Sequence, residues 1–210
     1  AVAGAIIGVH PFNQPNVQES KDYTKSLTDE YERIGSLPTE SPVLDTLGIK
    51  VYTDKANALA LAKGITGGTL ESCLRRHMNR LELKDYVAIN AYIDMNTENH
   101  DLLQGIRQCI RDHKKVATTL GYGPRFLHST GQLHKGGPNT GLFIQITSED
   151  AEDLPIPGRD FTFGILKEAQ ATGDFLALST RKRRIPRVHL PTDIPAGLTR
   201  LHEAIEAVLT

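Results

Sequence analysis

Long apolar runs, surplus charge and cysteine are what this sequence has least of. No stretch is apolar for long enough to make a membrane-crossing helix. Lysine and arginine number 24 against 25 aspartates and glutamates, a net charge of −1. No global field therefore draws the chain toward nucleic acid or an anionic membrane, and neither is expected as a partner. The two cysteines, Cys73 and Cys109, fall on apolar faces of predicted helices and read as buried thiols, not as a disulfide. The opening AVAGAIIGVHPF has neither a basic n-region nor a cleavage pattern, so it is not read as a signal peptide. These absences lead us to expect a reducing, cytoplasmic setting. The sequence starts without methionine, which suggests a fragment or a processed piece. What remains is ordinary: 210 residues, 39% hydrophobic and 23% charged, enough for one large domain or a domain with an appended piece.

Hydrophobic periodicity organises the chain. Residues 2–9 (VAGAIIGV) are a short Val/Ile-rich run closed by His10-Pro11 and read as a buried strand. Two prolines and two asparagines make 11–16 a loop. A helix follows, with Val17, Tyr23 or Thr24, Leu27, Tyr31 and Ile34 on one face and Gly35 as its stop. Beyond a proline-bearing connection, 49–52 can form a short strand, and Asp54 can cap a helix that stops at Gly64. GITGGT makes a glycine-rich turn, and the next helix aligns Leu70, Cys73, Leu74, His77, Met78 and Leu81. Residues 36–84 thus read as a small, mainly helical insertion.

From Asp85 the pattern becomes regular. Strand 85–94 leads to a helix capped by Asn96 or Thr97, with Leu102, Leu103, Ile106, Cys109 and Ile110 as its stripe. Strand 116–120 and strand 141–147 come next. A helix ending at Gly173, a short strand at 188–190 and a last helix capped by Thr192 or Asp193 complete the chain. Strands alternating with amphipathic helices predict an α/β fold, a mostly parallel sheet covered on both faces. Ligands bind such sheets at the carboxyl ends of strands.

Between strands 116–120 and 141–147 lies GYGPRFLHSTGQLHKGGPNTG, with six glycines, two prolines and two histidines. A segment that breaks helix and strand rules between two strong elements is a candidate site. His128 can exchange a proton near neutrality, or it can be a structural histidine in a tight turn. Ser129, Thr130 and Gln132 are placed to orient it or to bind hydroxyls. His128 and His134 do not have zinc spacing and no third ligand is near, so no metal is expected. Gly136-Gly137 can form a flexible turn that admits a phosphate or a plain loop. Arg181-Lys182-Arg183-Arg184 lacks interleaved aromatics and reads as a solvated turn, the alternative being a phosphate or acidic-partner contact.

Two segments resemble a known family. His10-Pro11-Phe12-Asn13-Gln14-Pro15-Asn16-Val17 with Lys21 resembles the C-terminal signature of phosphoglucose isomerases, Pro-Phe-Asp-Gln-Pro-Gly-Val-Glu-x-x-Lys. Phe126-Leu127-His128-Ser129-Thr130-Gly131-Gln132 resembles their catalytic-histidine segment, Asp-Leu-His-Ser-Met-Gly-Gln in bacterial members. Residues 124–147 are closer still to the isomerase half of fusions in which a transaldolase precedes a glucose-6-phosphate isomerase. There, as here, the lysine motif comes before the histidine motif, the reverse of other members.

The resemblance implies a three-layer sandwich of the sugar-isomerase (SIS) type at 85–210, with 1–35 supplying a strand, loop and helix of the active-site wall. It implies isomerisation of glucose 6-phosphate and fructose 6-phosphate without a cofactor. His128 and Lys21 would assist opening of the sugar ring, and Gln14 would contact the substrate near its phosphate. The enediol base of the family lies in an upstream motif, Gly-x4-Gln-x3-Glu, that does not occur here, so these residues alone are expected to be inactive. The implied partners are the sugar phosphate and the upstream transaldolase and isomerase regions of the same protein; family members form dimers. The alternatives are a non-catalytic sugar-phosphate-binding or interaction module, and a purely structural piece.

Overall fold

The computed structural model describes residues 1–62, 68–125 and 129–210. In chain order its elements are α1 (Val2–Ile7), α2 (Pro15–Ile34), β1 (Leu44–Thr46), β2 (Ile49–Tyr52), α3 (Lys55–Ala62), α4 (Leu70–Met78) and β3 (Tyr86–Tyr92). They continue as α5 (Thr97–Lys114), β4 (Ala117–Tyr122), α6 (Ser129–Gly136), β5 (Gly141–Ser148), α7 (Phe163–Ser179), β6 (Arg187–Leu190) and α8 (Ile194–Leu209). The sheet has the order β1-β2-β6-β5-β3-β4. Strands β3 to β6 run parallel, and the β1–β2 hairpin pairs antiparallel onto β6. This is the expected α/β architecture, with helices on both faces.

Alternation along the strands sorts the core. Val87, Ile89, Leu142, Ile144 and Ile146 point to the face covered by α4, α5 and α8, where they meet Leu74, Leu103, Ile106 and Leu201. Ala88 and Phe143 point the other way, onto Phe175 and Leu178 of α7. β5 is buried along its whole length, as a central strand of a parallel sheet must be. Each fully buried Leu or Ile stabilises by about 1.5–3 kcal/mol relative to exposure. The helix starts follow the expected chemistry. Asn96 accepts from the Asn99 amide and Asp193 from the Ala196 amide, each satisfying an otherwise orphaned donor. Asp54 does the same for Ala56 and Asn57 at the start of α3. The expected stop at Gly64 and most of the GITGGT turn lie outside the described residues. No described helix is long and apolar enough to cross a membrane.

Four expectations need correction. Residues 2–9 are not a strand: Val2–Ile7 is helical and pairs with no strand of the sheet. A helical turn satisfies its own amides, whereas a strand needs a partner edge. The helix that should end at Gly173 continues to Ser179. The stretch 121–141 is not all loop, because it contains α6. And 36–84 is only in part a helical module. Its hairpin extends the sheet, and α4 packs its stripe into the common core.

Gly173 runs on through α7 because α2 crosses there. A β-carbon at this position would lie 3.0 Å from the Ser20 carbonyl oxygen and 3.1 Å from the Thr24 nitrogen. Those are backbone atoms of a packed helix and cannot swing aside. Gly173→Val should therefore push α2 off α7 and destabilise the fold by about 1–3 kcal/mol. Urea unfolding measures this; an unchanged midpoint would show that the helices do not meet at this point.

Candidate functional site

The two motif-bearing segments, far apart in the chain, meet where α6 packs on the start of α2. Gln132 makes the junction. Its Oε1 accepts from the Asn16 backbone N–H at 3.0 Å, and its Nε2 lies 2.7 Å from the Asn16 amide group. That same amide lies 3.1 Å from Arg181 Nε. Gly136 leaves room for it, since a β-carbon there would fall 2.2 Å from the Asn16 side chain. Glycine at 136 thus serves close helix packing inside α6, not a flexible phosphate turn.

The other sequence-chosen residues divide. Gln14 and Lys21 are exposed, Gln14 as the residue before α2 and Lys21 on that helix's outer face. Thr130 is exposed on α6. His128 lies outside the described residues, as does the side chain of Ser129, so the geometry of the proton-transfer candidate does not enter the site. The structure joins the two segments through the Gln132 side chain and Asn16 and leaves Gln14, Lys21 and Thr130 on the surface.

Beneath α6 the chemistry is charged and dry. Lys135 of α6 forms an ion pair with Asp174 of α7, and each side chain is 1% exposed. Burial pushes the Asp174 carboxyl up, and Lys135 opposes the shift. Arg183 donates to the carbonyls of Lys135 and Gly137, both at 2.6 Å, closing the end of α6. Arg184 pairs with Asp85 at 2.7 Å and also donates to the Arg80 carbonyl. Burial alone would raise the Asp85 pKa; the bond from Arg184 and an amide of its own turn bring it below the usual range. Arg181 pairs with Glu19 on α2. The basic run is therefore not a solvated turn. Three of its four side chains clamp α2, α6 and the turn before β3 together, and only Lys182 of the four is fully solvent-facing.

His134 belongs to the core. Its Nδ1 is 2.8 Å from the Tyr86 hydroxyl, and its ring stacks on Tyr86 and meets Phe143 edge-on. Burial, with Lys135 and Arg183 nearby, lowers its pKa to about 4. Among the described residues no cluster of His, Cys, Asp or Glu is arranged to hold a metal.

A second region escaped sequence reasoning. A cavity of about 690 Å³ opens at the carboxyl ends of β5 and β6, beside Tyr92 at the end of β3. The pairing of β2 with β6 sets Lys50 beside His189 and Tyr52 beside Arg187, and Thr147 of β5 lies beside His189. His189 Nδ1 is 2.9 Å from the Thr147 hydroxyl and its Nε2 is 3.2 Å from Glu149. Burial lowers the His189 pKa in spite of the opposing pull of Glu149. Arg187 lies over Tyr52 at 4.8 Å and pairs with Glu40. No local signal announces these residues. Lys50 and Tyr52 reach His189 and Arg187 through strand pairings that span more than a hundred positions.

Two measurements test this electrostatic frame. Asp174→Ala leaves the Lys135 ammonium buried without its partner and should cost about 3–5 kcal/mol, while the double variant Lys135→Met/Asp174→Leu should regain most of it. Equal loss in both variants would show that the pair acts by shape alone. The second measurement is of pH. His134 and the fully buried His77, whose pKa is lowered to about 3, exclude the proton in the folded state. Their stabilisation is complete above the unfolded value of about 6.5. It is lost as pH falls toward 4, because only the unfolded chain takes up the protons, at roughly 1.4 kcal/mol per pH unit for each histidine. His134→Gln should flatten the fall measured by urea unfolding between pH 6.5 and 4.5; an unaltered slope would mean that His134 is protonated in the fold.

Comparison with known proteins gives a fold and no family. No family model and no curated protein matches this chain. Among solved structures, one described as hypothetical protein TT0462 from Thermus thermophilus is similar, with a TM-score of 0.58 at 17% sequence identity. The similarity covers 67% of this chain, which spans 38% of the length of that one.

Proposed function

We propose that this chain is part of a glucose-6-phosphate isomerase, with the sugar phosphate bound beside the junction of Asn16 and Gln132. The observation that carries this reading is the Asn16–Gln132 junction, a contact between residues 116 positions apart. Two segments that resemble two parts of one active site gain force from lying side by side. Gln132 here holds Asn16 and so positions the segment that ends at Lys21. Ring opening needs a group that exchanges protons near neutrality, the role given to His128, with Lys21 assisting and Gln14, Ser129 and Thr130 contacting the substrate. Proton transfer between the two carbons needs a carboxylate base. The one carboxylate in these segments, Glu19, is engaged by Arg181. The upstream isomerase region of a longer protein, such as a transaldolase fusion, or a second subunit, would supply the base.

The test is catalytic. In the longer protein, His128→Ala and Lys21→Ala should each lower kcat/KM for fructose 6-phosphate by about 10²–10⁴-fold. The 210 residues alone should bind fructose 6-phosphate in a calorimeter without turning it over. Variants that weaken binding but keep full turnover would favour a non-catalytic sugar-phosphate module. Robust turnover by this chain alone would show that the base lies within it.

A further inference from the structure

The cavity at the carboxyl edge stands apart from the junction just described. Asn16 lies in the first turn of α2 and Gly35 caps its other end; the 20 residues of the helix span about 30 Å, and the cavity is at the Gly35 end. Three features mark it. First, β3 leads across the sheet to β4 on one side, while β5 leads to β6 on the other, so the chain diverges at the carboxyl ends of β3 and β5. Doubly wound sheets bind ligands in the crevice formed there. Tyr92 and the β5 end line this cavity.

Second, the sheet face beneath it is polar. Over α7's half of the sheet the same face carries Ala88 and Phe143. Here it carries Lys50, Tyr52, Thr147, Arg187 and His189, with segment 36–40 lying across. Half-buried polar side chains on the inner face of a layered fold cost desolvation that apolar ones would not, and such local violations mark sites.

Third, its charges are already matched. Arg187 pairs with Glu40, Lys167 with Asp150, and Lys50 lies 3.6 Å from Glu149. Asp153 and Glu168 add two carboxylates to the cavity wall beyond those three pairs. A phosphate would meet excess negative charge and would have to break an existing ion pair. A hydroxyl can do what a phosphate cannot: it donates to a carboxylate such as Glu149 and accepts from Lys50 or a tyrosine hydroxyl. Tyr31 and Tyr52 provide flat surface for the C–H face of a ring.

We propose that this cavity binds an uncharged polyhydroxylated ligand, a free sugar or polyol, held by hydrogen bonds to Glu149 and Lys50 against Tyr52. The chain has no tryptophan and six tyrosines, three of which line the cavity, so tyrosine emission reports on it directly. Titration with D-glucose and D-fructose should give a saturable change with a Kd in the millimolar range or below. Glu149→Gln and Lys50→Ala should each weaken binding about tenfold, the loss expected for one hydrogen bond to a charged group. His128→Ala should leave it unchanged, and inorganic phosphate should not displace the sugar. Glu149 is exposed at 55% and Lys50 half-buried at 37%, and neither belongs to the apolar core, so the variants should keep the far-UV circular dichroism of the parent. No saturable response up to about 50 mM sugar would overturn the proposal. So would wild-type affinity in both variants, or displacement by phosphate. Loss of sugar-phosphate turnover in His128→Ala bears on the isomerase reading and leaves this one untouched.

Discussion

The ion pair of Lys135 and Asp174 is the interaction on which the placement of α6 depends. An ammonium and a carboxylate removed from water each carry a desolvation penalty of several kcal/mol, offset only when geometry and further hydrogen bonds are good. A leucine pair could fill the same space in several registers; a buried charge pair tolerates one. Arg183 adds to the constraint by bonding the carbonyls of Lys135 and Gly137. α6 is thereby fixed to α7 and to the turn before β6. Everything attributed to the junction follows from this, because Gln132 can reach Asn16 only if α6 is held at this rotation.

The Arg181–Arg184 run works in the same way at longer range. Arg181 reaches α2 through Glu19, and Arg184 reaches the turn before β3 through Asp85. These contacts gather at the amino end of β5, where Leu142 also bridges to Arg184. The carboxyl end of the same strand carries the other polar concentration, around His189 and Glu149. β5 itself is buried throughout. The molecule thus has a rigid charged base and, across an apolar middle, an open polar edge.

Much of this was legible in the sequence, for local reasons. Strands β3 to β5 and helices α4, α5 and α8 follow from periodicity, and Asn96 and Asp193 cap as side-chain chemistry demands. The misreadings were also physical. A Val/Ile run looks like a strand until one asks what edge it would pair with. Gly173 looks like a helix stop until α2 is known to need its bare backbone. Four basic residues look solvated until the carbonyl ends of α6 and the carboxylates of α2 and of the turn before β3 turn out to surround them. Nothing local gathers Lys50, Thr147 and His189, because the antiparallel docking of a hairpin onto β6 does so, and that pairing is decided by the whole sheet.

The contrast between the two polar regions bears on what each is for. At the base, the arginines of the run are engaged by backbone carbonyls or by a partner on another element, and His134 is kept neutral among aromatic rings. Those groups determine shape. At the carboxyl edge one pair is long and open to solvent: Lys50 and Glu149 sit 3.6 Å apart with their side chains 37% and 55% exposed. Surface pairs of this kind contribute little to stability, roughly 0–1 kcal/mol. The Lys50–Glu149 pair beside the cavity therefore adds little to the stability of the fold. Its hydrogen-bonding capacity is retained at the surface, where a ligand can reach it, and the rigid base below gives that edge a fixed geometry to present.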